Sequence, residues 1–327
     1  MCTAISVTTK KHWFGRNLDY EYEFGEKVVI TPRNFSFSFS NGETLSRHSA
    51  LIGMGLCEKN FPLYFDAANE DGLAMAGLNF SGNACYMPKN KTKTNIASFE
   101  LIPWVLTHFK TASEAAQELS RIIITDSAFS EELAPSPLHW LLADKSGAFV
   151  IEQTERGLTI FENPIGVLTN NPPFDFQLLN LKNYLSVTRE EPENRFCKNL
   201  DLAPYSRGMG GLGLPGDLSS SSRFVRAAFT KLNSVFGTTD DENIVQFFHI
   251  LNSVYQQNGC ARVGDGFEKT NYSSCIDTEN GVYYYTTYAN PTINAVSMAT
   301  ENLESNELVT YERKNELFIF SQSHDHR

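Results

Sequence analysis

The sequence predicts an α+β fold in which helices pack outside two antiparallel β-sheets. Segments with strand character come first, two helices follow, strands resume, two more helices follow, and the chain ends in strands. Because helices and strands do not alternate one by one, a doubly wound parallel sheet is disfavoured. Tight Asn-Gly and Asp-Gly turns between neighbouring strands are typical of antiparallel hairpins and favour the same fold.

The first ninety residues read as strands. The run CTAISVTT alternates, so that Cys2 shares a face with every second residue after it. The run FSFSFS at residues 35–40 has the same period, and Asn41-Gly42 follows it as a hairpin signal. Asp71-Gly72 separates two more strands, the second of which ends near Asn79.

Four helices are predicted from apolar residues at helical spacing. They cover residues 98–109, 111–122, 221–236 and 241–255. Thr111 and Glu114 form a capping-box pattern at the start of the second helix. Asp240 is the predicted N-cap of the fourth. Residues 171–220 contain five prolines and are predicted as loop, and the chain then returns to strands with an Asn280-Gly281 hairpin.

Composition narrows the function classes. The chain has 327 residues, 41% of them hydrophobic, and no linker divides it, so one globular domain over residues 1–327 is expected. The formal charge of −11 and the lack of a basic stripe argue against a nucleic-acid partner. No window approaches the roughly 18 apolar residues of a membrane helix. No apolar signal stretch follows Met1, so no membrane partner and a cytoplasmic location are expected.

Two other site classes find little support. The run GMGGLG at residues 208–213 matches a dinucleotide-binding pattern, but no apolar strand precedes it and Pro215 follows it. The six cysteines form no CxxC pair and the seven histidines no metal-binding motif, so no metal site is predicted. An enzyme with this sequence is therefore expected to work without a histidine base.

Cys2 is the one candidate nucleophile that position alone suggests. Loss of Met1 leaves a chain whose first residue carries a thiol and a free α-amine. The ordinary pKa of such an amine, about 7.7–8.0, suits it to accept the thiol proton directly or through water. Arg16 can favour the thiolate and Asp19 can hold the amine, whereas their spacing alone favours surface positions for both. In a regular strand these two side chains face opposite sides, so a strand end or bulge is expected if both reach Cys2.

Five motifs in order and spacing resemble the choloylglycine hydrolase family, most closely its bile salt hydrolases. The resemblance runs from Met1 to about Tyr311. The motifs are MCTAI, FGRNLD, NEDGLAMAGLNF, PIGVLTNNP and GLPGDLSSSSRFVRAAF. The resemblance implies the four-layer αββα sandwich of N-terminal nucleophile hydrolases, amide hydrolysis without a metal or organic cofactor, and a homotetramer.

The resemblance also implies roles for single residues. Cys2 matches the nucleophile, Arg16 the arginine beside the thiol, and Asp19 the aspartate that holds the amine. Asn79 and Asn170 match the two asparagines associated with the oxyanion and the N-terminus, and a further arginine of the site is matched by Arg223. The residues in segments that line the apolar substrate pocket of relatives are Leu18, Phe24, Phe61, Phe65 and Leu133.

The implied reaction is hydrolysis of the amide that joins a bile acid to glycine or taurine. Penicillin V acylases of the same family share the nucleophile and remain an alternative, although Asn79 fits the bile salt hydrolase pattern. A non-catalytic bile-acid carrier with this fold is a second alternative, which would be expected to lack the nucleophile or an oxyanion asparagine. The sequence does not reveal which steroid is preferred or whether glycine or taurine conjugates are preferred.

Overall fold

The computed structural model describes residues 1–322, which build two large antiparallel sheets with helices on their outer faces. The strands are β1 (Cys2–Thr8), β2 (His12–Tyr20), β3 (Lys27–Thr31), β4 (Phe37–Ser38), β5 (Thr44–Leu45), β6 (Leu51–Glu58), β7 (Phe61–Asn69), β8 (Ala74–Asn79), β9 (Thr94–Ala97), β10 (Ile122–Thr125), β11 (Leu138–Asp144), β12 (Gly147–Thr154), β13 (Gly157–Glu162), β14 (Val167–Leu168), β15 (Ala261–Val263), β16 (Gly266–Asp277), β17 (Val282–Thr287), β18 (Asn294–Ser297) and β19 (Val309–Glu312). The helices are α1 (Leu101–His108), α2 (Ala112–Leu119), α3 (Phe174–Asn180), α4 (Ser220–Asn233) and α5 (Asp240–Asn252).

Sheet A and sheet B are the names used here for the two large sheets. Sheet A runs β14-β1-β2-β16-β17-β18, with β15 added beside β16. Sheet B runs β13-β12-β11-β8-β7-β6-β3-β19. Every pairing within them is antiparallel. The order of the strands confirms the predicted pair of antiparallel sheets.

The helices cover the outer faces of the two sheets. α1 and α2 pack on sheet B, whereas α4 and α5 pack on sheet A. One apolar cluster fills the space between the sheets and continues to Phe224 of α4 and Phe247 of α5, both fully buried. Burial of such an aromatic side chain stabilises a fold by about 1.5–3 kcal/mol. The layers therefore follow the order helix, sheet, sheet, helix.

Side-chain caps explain where α2 and α5 begin. The Thr111 side chain accepts a hydrogen bond from the backbone N–H of Glu114, 3.3 Å away, at the start of α2. The N-cap predicted for α5 is wrong, because Thr239 caps that helix in a capping box with Glu242 and Asp240 is already its first helical residue. The helix predicted from the apolar pattern begins at residue 241, so the pattern favours the preceding Asp240 over Thr239 as the N-cap.

Two other predictions need correction. Of the run at residues 35–40, only Phe37–Ser38 forms a strand, in a small hairpin with β5. The alternation there reflects burial of every second residue, each of them a phenylalanine, without extended pairing. The segment 171–220 is loop-rich but contains α3, whose seven residues are too few for a clear period. Within residues 1–322, no helix combines the length and apolar character that crossing a membrane demands.

Candidate functional site

Cys2 begins β1, which lies between β14 and β2 in sheet A, and faces sheet B. It lies directly opposite Leu18 of β2, and Ala4 lies opposite Arg16. Because side chains at every second position share a face, these four residues point to the same side of the sheet. The Cys2 side chain is almost fully buried, and its thiol opens into a cavity between the layers.

Met1 extends the β1 pairing by one residue. The backbone N–H of Asp19 donates to the Met1 carbonyl at 2.9 Å, and the Met1 ammonium donates to the Asp19 carbonyl at 2.5 Å. The same ammonium contacts the carboxylate of Glu268 on β16. Cys2 therefore has a peptide nitrogen while Met1 is attached, and the amine occupies the place opposite Asp19.

Arg16 is a buried cation on the thiol side of β2. Its Nη1 donates to the carbonyl of Gly77 at 2.5 Å and to that of Phe65 at 3.1 Å, both on sheet B. Its Nη2 has no partner among residues 1–322, and Arg16 lines the cavity together with Cys2. Burial opposes the charge, but the neighbouring Cys2 and further anionic groups outweigh burial and raise the pKa of Arg16. Arg16 therefore places a buried positive charge on the wall of the cavity that also contains the thiol.

Asp19 is buried on the opposite face of the same strand. Its carboxylate accepts from the Thr270 hydroxyl at 2.6 Å and from the Gln256 amide at 3.2 Å, and it lies 3.8 Å from the Arg223 guanidinium. β2 stays regular through Asp19, and the irregular pairing lies in its partner β16 next to Thr270. The structure thus keeps Arg16 and Asp19 on opposite faces and does not bring both to the thiol.

Asn170 connects the loop after β14 to the start of β1. Its Oδ1 accepts from the Cys2 N–H at 2.8 Å and from Arg223 at 2.7 Å. Its Nδ2 donates to the backbone carbonyl of Asn79 at 2.7 Å. The backbone N–H of Asn170 is held in turn by the Ser220 hydroxyl at 2.8 Å. With all three groups engaged, Asn170 fixes the Cys2 nitrogen relative to the end of β8.

Asn79 is the last residue of β8 and borders the cavity. Its Oδ1 accepts from both the backbone N–H and the hydroxyl of Ser81, at 3.0 and 2.7 Å. This pairing orients the amide, and its Nδ2 group has no acceptor among the described residues. An N–H donor is therefore available on the cavity wall that also contains the thiol.

Arg223, on α4, completes the polar side of the site. Its Nη1 donates to the Cys2 carbonyl at 2.5 Å and to the Thr3 hydroxyl at 2.6 Å. Burial lowers the pKa of Arg223, an effect that the negative charge of Asp19 opposes. The buried cation thus joins the nucleophile's backbone, Asp19 and Asn170 in one network.

The cavity at the thiol has a volume of about 430 Å³, within the usual range for small-molecule sites. Four of the five residues predicted for the substrate pocket line it, namely Leu18, Phe24, Phe65 and Leu133. Phe61 instead packs behind two lining rings, with its centroid 6.0 Å from those of Phe99 and Phe129. Other lining residues that the sequence did not single out are Tyr20, Tyr22, Leu56, Leu63, Ile102, Leu138 and Trp140.

Gln256, Thr270 and Glu268 are further members of the site that sequence reasoning missed. Each is more than 200 positions from Cys2 in the chain and reaches the site only through β16 or the turn after α5. No local motif marks them. Only the pairing of β2 with β16 brings them to the N-terminus.

Known proteins share this architecture. A bile salt hydrolase/transferase of Lactiplantibacillus plantarum is 52% identical, over 97% of this chain and 98% of the relative. A bile salt hydrolase/transferase of Clostridium perfringens is 38% identical, over 98% and 99%. The solved structure of a mutant conjugated bile acid hydrolase from Clostridium perfringens superposes with a TM-score of 0.91 at 37% identity, covering 99% of this chain and 100% of the other.

A penicillin V acylase structure from Agrobacterium tumefaciens shares the fold, with a TM-score of 0.76 at 20% identity over 98% of this chain and 94% of the other. These superpositions confirm the predicted αββα sandwich of the N-terminal nucleophile hydrolases. Residues 2–311 match the family described as linear amide C-N hydrolases, choloylglycine hydrolase family. The chain therefore belongs to the choloylglycine hydrolase family and is an enzyme that hydrolyses C–N amide bonds.

Proposed function

We propose that the chain, once Met1 is removed, hydrolyses the amide bond of glycine- and taurine-conjugated bile salts. The observation that carries this proposal is the apolar cavity of about 430 Å³ that ends at the Cys2 thiol. A steroid is a large apolar acyl group and needs such a cavity, while its amide must lie at the nucleophile. The relatives that are 52% and 38% identical are bile salt hydrolases/transferases, which supports the same substrate class.

The proposed first step joins Cys2 to the acyl group. The α-amine of Cys2 takes the thiol proton, and the thiolate attacks the amide carbonyl carbon to form a C–S bond. Arg16 stabilises the thiolate through its unpartnered Nη2 group. The tetrahedral intermediate then collapses, the C–N bond breaks, and the protonated amine gives its proton to the departing glycine or taurine nitrogen.

The oxyanion of that intermediate requires hydrogen-bond donors already in place. The free Nδ2 group of Asn79 supports this role for Asn79. Asn170 is proposed to assist it and to hold the Cys2 nitrogen through Oδ1, the contact that the peptide nitrogen already makes. Asp19 and Arg223 are proposed to surround the mature amine on the face away from the thiol.

The second step regenerates the enzyme. Water attacks the thioester carbonyl carbon, and the Cys2 amine accepts a proton from it. The C–S bond breaks, and the free bile acid leaves. The bonds and protons of the two steps balance with groups of the chain and water alone.

The test is an assay of purified protein whose N-terminal mass has been measured. Glycocholate, taurocholate and penicillin V are compared, with Cys2→Ala as the control. Loss of Met1 together with Cys2-dependent release of glycine or taurine is the expected result. Preferential release of phenoxyacetate from penicillin V would overturn the substrate but keep the mechanism. Binding of bile salts without turnover of any of the three would favour a carrier.

The proposal includes a homotetramer located in the cytoplasm. Large apolar side chains are exposed on the segment 176–212, including Phe196 at 87% and Tyr205 at 84%, which suits contact with other subunits. All six cysteines are free thiols, as suits a reducing compartment. Light scattering on the wild type and on Phe196→Ser/Tyr205→Ser tests the assembly, and cell fractionation tests the location.

A further inference from the structure

His139 and Glu152 form a buried polar pair next to the two asparagines. His139 lies on β11 with its Nδ1 3.0 Å from Glu152 Oε1 on β12, and both side chains are almost fully inaccessible. Its Nε2 lies 2.8 Å from the carbonyl oxygen of Thr169. A carbonyl only accepts, so Nε2 carries a hydrogen, and the ring is fixed through both nitrogens.

The pair holds both ends of the segment 169–174, here called the Asn170 loop. At its start, the Thr169 carbonyl accepts from His139. At its end, Glu152 Oε1 accepts from the backbone N–H of Phe174 at 3.1 Å. Asn170 therefore lies between two points that one buried pair fixes.

The same histidine ring contacts the neighbour of the other asparagine. Phe80, which follows Asn79, stacks on His139 with ring centroids 4.1 Å apart and an interplanar angle of 6°. Phe80 is fully buried, and its backbone N–H donates to Pro137 at 2.8 Å. The position of the β8 end is thereby tied to the position of the Asn170 loop.

We propose that His139 and Glu152 are positioning residues that set the distance and orientation between the Asn79 and Asn170 amides. The inference rests on the proposed function, in which these amides act on the oxyanion and on the Cys2 amine. Donors of this kind act only when held in place before the reaction, and a misplacement of about 1 Å can cost about 100-fold in rate. Because the oxyanion exists only after attack, loss of the pair lowers kcat and leaves substrate binding unchanged.

His139→Gln is the test variant, and His12→Gln is its matched control. His12 is also fully buried and bonds through both ring nitrogens, to the Ser6 hydroxyl at 2.9 Å and the Thr278 hydroxyl at 3.0 Å. It lies at the opposite end of the β1–β2 hairpin from Cys2. For each protein, kcat and KM for glycocholate and the midpoint of urea unfolding are measured at neutral pH.

The expected result for His139→Gln is a fall in kcat of about tenfold to 100-fold with KM unchanged within about twofold. His12→Gln is expected to lose similar stability and to keep its kcat. An equal fall of kcat in both variants, or a rise of KM alone in His139→Gln, would overturn the inference. If His139→Gln does not fold, Glu152→Gln replaces it, and a wild-type kcat in that variant would overturn the inference equally.

The wild-type assay separates this inference from the proposed function. An active wild type whose His139→Gln variant behaves like His12→Gln refutes the positioning role alone. A wild type lacking Cys2-dependent hydrolysis of glycocholate, taurocholate and penicillin V refutes the proposed function, and the positioning role with it.

Discussion

The side chains of Arg16 and Asp19 leave opposite faces of β2 and lie on different sides of sheet A. Arg16 borders the cavity beside the Cys2 thiol, whereas Asp19 lies on the helix-covered face opposite Met1. Under the proposed function, the thiol and the amine of Cys2 thus have separate surroundings. Sheet A keeps the two sets of charged groups apart.

Replacing Arg16 by Gln is expected to lower kcat/KM for glycocholate by about 100-fold, because the thiolate loses a buried cation. The carbonyls of Gly77 and Phe65 also lose a donor, at a cost of about 1–3 kcal/mol in unfolding free energy. Stopped assays and the rate of thiol alkylation by iodoacetamide measure the first effect. Unchanged alkylation in a folded variant would contradict the role of Arg16.

Replacing Asn79 by Ala is expected to lower kcat by about 100-fold to 1,000-fold with little change in KM. Its backbone carbonyl, which holds Asn170, remains in place, so stability should change little. Asn170→Ala should lose both activity and stability, because Cys2 and Arg223 lose an acceptor. Steady-state kinetics and urea unfolding distinguish Asn79→Ala from Asn170→Ala. Equal losses of stability in the two variants would contradict the different roles given to Asn79 and Asn170.

Acid conditions are expected to destabilise the fold through His12. Burial lowers the pKa of His12 to about 4, while an unfolded histidine titrates near 6.5. Between these pH values the unfolded chain binds a proton that the folded chain does not, so the free energy of unfolding falls as the pH falls. The full effect is about 3 kcal/mol.

Urea unfolding of the wild type and His12→Gln at several pH values between these limits measures the effect. The difference in unfolding free energy between the two proteins should shrink towards the acid end, since only the wild type loses this contribution. A constant difference across the range would contradict the prediction.

Removal of Met1 is expected to be slow once the chain has folded. Both the ammonium and the carbonyl of Met1 are hydrogen-bonded to the backbone of Asp19, and the ammonium also contacts Glu268. A methionine aminopeptidase needs this terminus released, and each 1.4 kcal/mol of local opening slows cleavage about tenfold. The rate of Met1 removal by the aminopeptidase is measured by intact-mass analysis. A Met1-retaining preparation is compared in its folded form and after exposure to urea and refolding. Equal rates from the folded chain and from a short peptide of the same N-terminus would contradict it.

The sequence predicted the sheets and turns because their signals are local. Asn41-Gly42 and Asp71-Gly72 lie at turns between paired strands, with positive φ at both glycines. The predicted N-cap of α5 was wrong because capping depends on which of two neighbouring polar residues leaves the helix, here Thr239. The phenylalanines of residues 35–40 are buried by their surroundings and mostly lack strand partners.

Only part of the candidate site could be predicted from the sequence. Cys2 follows from its position, Arg16 and Asp19 are candidates from their charge, and Asn79, Asn170 and Arg223 come from the family resemblance. His139, Gln256, Thr270 and Glu268 meet the site through contacts between distant strands, and no spacing along the chain encodes them. Phe61 shows the same limit for the pocket, since membership of a lining segment does not decide whether a ring reaches the cavity or packs behind it.

The pairing of Met1 with Asp19 has a consequence for how the gene and the protein are handled. Under the proposed function, the amine of Cys2 exists only after Met1 is removed, so the chemistry depends on which residue begins the mature chain. Any residue left ahead of Cys2, including an affinity tag or a longer translation product, would convert the amine into a peptide bond. Preparations intended for assay should therefore carry their tags at the carboxyl end.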